Sequence, residues 1–160
     1  MSNILVFCEH NKNGFLKSAF ELLSKAKELS SGGQVCAVVV GDIDVSSLKG
    51  FGADTIYQAK GDGFDGLNSS VAARVIQAAV TACNPILLLG SSGSSTHEIF
   101  PRLAIRLNAG FCPEAVELKR NGDAFVATRP SFTGKVLNDV GISSALSIVS
   151  ARPNSFSIER

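Results

Sequence analysis

Seven consecutive residues, Gly90, Ser91, Ser92, Gly93, Ser94, Ser95 and Thr96, form the densest patch of potential chemistry in the chain. Glycines there let the backbone present successive N–H groups, and the hydroxyls add further donors. A helix beginning at the loop would aim its positive end at the same point, which suits a phosphate or another anion. The loop matches neither GxxxxGK[ST] nor GxGxxG, so it carries the chemistry of a nucleotide loop without either fingerprint. A ligand-free reading competes with it. Ser95-Thr96-His97-Glu98 has the spacing of a capping box, with Ser95 capping the helix and Glu98 reaching back to it.

Glu9 and His10 end the first apolar run, and His97 follows the Gly/Ser loop. Two histidines beside a carboxylate invite a metal or acid-base reading, but no third ligand stands at a recognisable spacing. No serine can be matched with a named base and an orienting acid, so a hydrolytic site is not indicated. Cys8, Cys36, Cys83 and Cys112 form no CxxC pair and read as buried thiols. Cys8 and Cys36 fall in strands that could be neighbours, but a disulfide between them is not expected in a reducing compartment.

The elements that must position these residues follow from hydrophobic period. Residues 3–8, 35–40, 55–59 and 86–89 are apolar runs of strand length. Between them, 15–31, 44–50 and the segment after the Gly-rich turn 61–66 have helical spacing. The first carries Leu16, Ala19, Phe20, Leu23 and Ala26, and the last carries Ala72, Val75, Ile76, Ala79 and Val80. Asn84-Pro85 stops the latter. Such β-α alternation predicts an α/β fold with a doubly wound, mostly parallel sheet of Rossmann-type order and right-handed crossovers. With the order 3-2-1-4, the first and fourth strands are neighbours, and Glu9-His10-Asn11 meets Gly90–Thr96 at the switch point where ligands bind in such sheets. Pro101 should bend the helix after the loop, and Arg102 and Arg106 lie one turn apart on its flank. Past Gly110 the pattern changes to short strands at 117–119, 124–128, 135–140 and 143–150, which predict antiparallel hairpins extending the sheet.

One domain spanning 1–160 accounts for the length. Fifteen Lys and Arg against fourteen Asp and Glu leave a net charge of +1 without a basic run, so nucleic acid is not an expected partner. The apolar runs are too short to cross a membrane, and strand begins almost at Met1, so a cytoplasmic protein is expected. Hydrophobic residues make up 45% and charged residues only 18%, with a mean hydropathy of +0.23. That thin polar surface predicts a face covered by another protein. Tyr57 is the lone Tyr and Trp is absent, so no stacking platform for a flavin or base is apparent.

Several segments, in order, resemble the N-terminal domain of the electron-transfer flavoprotein alpha subunit: ILVFCEH (4–10), LKSAFELLSKAKELSSGGQVCAVVVG (16–41), FGADTIY (51–57), PRLAIRLNAGF (101–111), ATRPSFTGKV (127–136) and SARPNSF (150–156). Two departures stand out. Glu114 occupies a position where the family usually has Asp, and Phe132-Thr133 replaces an aromatic residue followed by Gly. The resemblance implies an electron-carrier component rather than an enzyme, a noncatalytic scaffold for the beta subunit and the FAD domain. It implies FAD in the full-length protein, held mainly by a C-terminal domain absent from this sequence, and no cofactor in this chain. Electrons would pass from acyl-CoA or related dehydrogenases, as in fatty acid oxidation, to the respiratory chain. The competing expectation is a stand-alone adenine-nucleotide-binding module using Gly90–Thr96.

Overall fold

In chain order the elements of this computed structural model are β1 (Ile4–Phe7), β2 (His10–Asn11), β3 (Gly14–Phe15), α1 (Lys17–Leu29), β4 (Val35–Val40), α2 (Ser46–Gly50), β5 (Thr55–Ala59) and α3 (Ser69–Cys83). There follow β6 (Leu87–Ser91), α4 (Ser94–Leu107), β7 (Gly110–Ala115), β8 (Glu117–Asn121), β9 (Ala124–Ser131), β10 (Val136–Ile142) and β11 (Ser147–Ala151). The structure describes residues 2–64, 66 and 68–160; Asp65, within the Gly-rich turn read at 61–66, lies outside them.

Six strands form a parallel sheet in the order β5-β4-β1-β6-β11-β7. The first four follow the expected 3-2-1-4 order, and the fold is the α/β, doubly wound type. Continuous apolar runs such as ValCysAlaValValVal in β4 suit it because helices or further strands cover both faces, leaving no solvent-facing side to require alternation. On one face Ile4, Val6, Leu87 and Leu89 meet Leu22, Leu23 and Ala26 of α1 and Leu48 of α2. On the other, Leu5, Phe7 and Leu88 meet Ile76 of α3 and Ile99, Phe100 and Leu103 of α4. Asn68 caps α3 by accepting the Ser70 and Val71 N–H groups, and Asn84 closes it in the left-handed region, donating to the Val80 carbonyl.

The last third departs from expectation in two places. β7 is a strand the pattern does not flag, because Pro113 and the polar Glu114 interrupt its apolar run. β11 is not part of a hairpin; it inserts in parallel between β6 and β7, and its five residues are all buried. The antiparallel strands instead make a separate sheet, β10-β9-β8, laid against the α1 side of the core by Leu118, Phe125 and Ala127. Arg120 anchors it, donating to the Leu29 carbonyl at 2.8 Å and to the Ser2 hydroxyl at 2.7 Å.

α4 runs through Pro101 without ending. β1 and β4 are neighbours as expected, yet Cys8 and Cys36 face opposite sides of the sheet. Among the described residues, no helix is long and apolar enough to cross a membrane.

Candidate functional site

β1 and β6 run side by side, with Ile4 opposite Leu87 and Val6 opposite Leu89. From their C-terminal ends the chain departs to opposite faces, into α1 and α4 respectively, which opens the crevice expected of a switch point. A cavity of about 450 Å³ lies there, bounded by Glu9, Lys17, Glu21, Ser91–Ser95 and Asn154.

Most of the Gly/Ser loop is spent on its own structure. Gly90 sits under the Phe100 ring, where a Cβ would come within 2.4 Å of Cζ. Thr96 is fully buried, and its hydroxyl donates to the Ser91 carbonyl at 2.6 Å while accepting the Gly93 N–H at 3.2 Å. The Ser92 N–H donates to the Ala151 carbonyl, and the Ser92 hydroxyl pairs with Ser150 Oγ at 3.1 Å. The helix therefore starts earlier than the expected box. Gly93 is the N-cap and Thr96 reaches back from the third helical position, while the Glu98 carboxylate is taken by the Ser69 hydroxyl of α3. Thr96 prevails because its hydroxyl is buried and must be paired somewhere. The Ser94 and Ser95 side chains remain on the cavity wall.

Glu9 lines the same cavity, but His10 does not. The β2-β3 hairpin, which pairs His10 with Phe15, turns the imidazole toward β4. There its Nε2 donates to the Val40 carbonyl at 2.7 Å, and the ring stands edge-on to Phe15 with centroids 5.9 Å apart. His10 thus belongs to a second cavity of about 590 Å³, shared with Phe7, Asn11, Asp42 and Ile43.

The charge at the switch point is mixed. Burial pushes the Glu9 carboxyl above the ordinary carboxylate range. Glu21, with 3% of its side chain exposed, accepts the Asn154 N–H at 2.9 Å and has Lys17 Nζ at 3.7 Å. Lys17 in turn donates to Asn154 Oδ1 at 2.9 Å, so the cation nearest the loop is already held. An incoming phosphate would meet the positive end of α4 but also two carboxylates. The lining does not fit a flavin: among the described residues it offers no aromatic face for the ring and no unengaged cation for the diphosphate. Among the described residues no group of three or more His, Cys, Asp or Glu could hold a metal.

One polar cluster lies outside the sequence reading. Glu114 accepts from His97 Nε2 at 2.8 Å and from Arg152 Nε at 2.7 Å, bridging α4, β7 and the end of β11. Arg152 first, and His97 second, hold its carboxyl below the usual range. The signal was the arrival of Arg152 at the Ala115 carbonyl, which its backbone N–H reaches at 2.9 Å just past β11, one residue from Glu114. It becomes visible only once β11 is known to be parallel to β7. Arg102 and Arg106 are exposed on α4.

Comparison with known proteins places this geometry. Residues 4–160 match the model of the Electron transfer flavoprotein domain. The electron transfer flavoprotein subunit alpha of Methylophilus methylotrophus is 29% identical, over 98% of this chain and 50% of that protein. The corresponding subunit of Syntrophomonas wolfei is 26% identical over 96% of this chain and 49% of its own length. That of Mycobacterium tuberculosis strain H37Rv is 31% identical over 76% of this chain and 39% of its own. The chain spans about half the length of the curated relatives it matches most fully. With a doubly wound parallel sheet and a family match along nearly all its length, the chain belongs to the electron transfer flavoprotein domain family and is homologous to the N-terminal part of its alpha subunits.

Proposed function

We propose that this chain is a noncatalytic scaffold of a heterodimeric electron carrier, packing against a beta subunit and a flavin-bearing domain while electrons pass from dehydrogenases to the respiratory chain. The observation that carries this reading is the apolar end of the β9-β10 hairpin. Phe132 is 77% exposed, Leu137 64% and Val136 44%. β10 is the outer strand of its sheet, so these side chains border an edge with unpaired backbone groups. Apolar side chains left in water along an outer strand cost solubility unless a partner covers them. The flavin is held elsewhere, in keeping with the lining of the switch-point cavity. The chain supplies position and contact, and the redox chemistry belongs to the cofactor.

The test is association with a beta subunit of the family, read by light scattering on a sizing column and by titration calorimetry. A 1:1 complex is expected, with Phe132→Asp and Leu137→Asp each weakening it at least about tenfold, or roughly 1.4 kcal/mol. Titrating the isolated chain with AMP and ATP should give no saturable heat, because Glu9 and Glu21 face the loop. Saturable nucleotide binding without any association would replace the scaffold with a nucleotide-binding module.

A further inference from the structure

We propose that Cys36 and Cys83 are a peroxide-sensitive dithiol that closes reversibly into a stabilising disulfide within this chain. Cys36 lies in β4 and points to the face covered by α3; Cys83 is the last residue of that helix. Their sulfurs are 2.9 Å apart, although 47 positions separate them in sequence. A disulfide bond is about 2.05 Å long, so closure asks for an approach of under about 1 Å. Among the described residues the remaining thiols have no such neighbour: the Cys8 and Cys112 sulfurs meet the Val6 and Pro113 carbonyls, each at 3.8 Å.

The pair is asymmetric in a way that assigns the steps. Cys83 donates its S–H to the Cys36 sulfur. That bond lowers the Cys36 thiol below its ordinary value and raises the Cys83 thiol far above its own, so Cys36 is the nucleophile. Cys36 releases its proton to solvent and the thiolate attacks hydrogen peroxide; an S–O bond forms, the O–O bond breaks, and the leaving hydroxide takes up a proton from solvent in its place to become the first water. Cys83 sulfur then attacks the resulting sulfenic acid, the S–S bond forms, the S–O bond breaks, and the departing hydroxide takes the Cys83 proton as a second water. Two thiols lose two electrons and the peroxide gains them. Cys36 is 1% exposed and Cys83 4%, so the oxidant enters when the last turn of α3 frays beside the left-handed Asn84. The closed loop contains α2, β5 and most of α3, so the bond restricts the unfolded chain more than the folded one.

The test treats the folded chain with hydrogen peroxide, blocks residual thiols, and maps tryptic peptides without reduction. Residues 28–49 should be recovered joined to 75–102, with Cys8 and Cys112 still alkylated. The oxidised chain should melt several degrees higher, and dithiothreitol should reverse both changes. Cys36→Ser and Cys83→Ser should each abolish the joined peptide. Because either variant could fold poorly, the Cys8→Ala/Cys112→Ala chain, which keeps only the proposed pair, should still form it. Alkylatable Cys36 and Cys83 after treatment, their recovery as separate sulfinic acids, a link through Cys8 or Cys112, or a lower melting temperature would each overturn the proposal.

Discussion

At the ends of β1 and β6, polar groups turn inward: Thr96 closes on Ser91 and Gly93, Ser92 on Ser150 and Ala151, and Lys17 on Asn154. At the tip of the β9-β10 hairpin, apolar groups turn outward, with Phe132, Val136 and Leu137 in water. The two regions differ in what remains unfinished. A loop rich in hydroxyls and glycines looks like a binding site in sequence, but the Ser92 and Thr96 hydroxyls are already paired, which leaves Ser94 and Ser95 on the cavity wall. A phenylalanine in a turn looks ordinary in sequence, yet exposed apolar surface is improved by any partner that covers it. On the scaffold reading proposed above, the conspicuous motif serves chiefly to build its own turn, and the plainer segment is the better candidate for contact.

The sharpest way to break this contrast lies inside the loop, where its two glycines have different roles. A Cβ on Gly90 would lie 2.4 Å from Phe100 Cζ, 2.7 Å from Cε2 and 3.1 Å from Thr96 Cγ2. Phe100 is fully buried and has nowhere to go. Gly90→Ala should therefore destabilise by about 2–3 kcal/mol, as overpacking of a filled core does. Gly93 is fully extended, with open space where its Cβ would stand, so Gly93→Ala should change stability by less than about 0.5 kcal/mol. Denaturant titration of both variants gives the answer; equal effects would mean that the loop is not divided as described.

A stabilising change is expected at the hairpin tip. Phe132, Thr133 and Gly134 all have positive φ, at 52°, 56° and 83°. For a β-branched residue this is an unfavourable region. Thr133 thus keeps the backbone shape of the glycine expected at that position, at the cost of about 1–2 kcal/mol. Thr133→Gly removes that strain but adds unfolded-state freedom worth roughly 0.5–1 kcal/mol. A net gain of about 0.5–1 kcal/mol should follow, seen as a higher melting temperature with β-subunit binding unchanged. A loss of stability would show that the Thr133 hydroxyl, 2.7 Å from the Phe132 carbonyl, matters more than the backbone does.

How far the sequence reveals these regions depends on the range of the forces that shape them. The strand order β5-β4-β1-β6 and the meeting of Glu9 with the Gly/Ser loop were legible, because continuous apolar strands alternating with helical stripes leave few topologies. The direction of β11 was not. A five-residue buried strand reads the same in either orientation, and its insertion between β6 and β7 is a long-range event. The Glu114–Arg152 contact was hidden for the same reason. His10 was misplaced by a subtler cause: adjacent to Glu9 in sequence, it is turned away by a two-residue hairpin whose signal, Asn13-Gly14, is local but whose direction is not. Thr96 shows the limit for caps, since two overlapping spacings were available and burial of its hydroxyl decided between them.

Within the crevice, Glu9 is held against solvation. Its raised carboxyl favours the neutral form in the folded state, so that contribution is fully present below the ordinary carboxylate value and is lost as pH rises through the folded one. Glu9→Gln should accordingly be more stable than the parent chain at neutral pH, by a fraction of the Gly90 effect. The difference should vanish as pH falls beneath the carboxylate range. Urea midpoints measured across pH 3 to 8 would sharpen the view of the crevice as a place hostile to negative charge; a variant less stable at neutral pH would contradict it.

The smallest effect is expected at Glu114, where the sign is opposite. The Arg152 guanidinium and then His97 depress its carboxyl, so the pair contributes stability above the ordinary carboxylate value and loses it as pH falls through the lower folded value. Half of the Arg152 and His97 side-chain surface is exposed, and such pairs are worth only about 0.2–1 kcal/mol. Glu114→Gln should therefore cost about 0.5 kcal/mol at neutral pH and nothing in acid, with the cost shrinking in high salt. Glu114 also has φ of +61°, so Glu114→Gly removes the ion pair and the backbone strain together. If the pair outweighs the strain, the glycine variant loses stability. If it gains, the carboxylate is kept against a local cost, and its value lies in fixing Arg152 and His97 at the rim between the crevice and the hairpin rather than in holding the fold together.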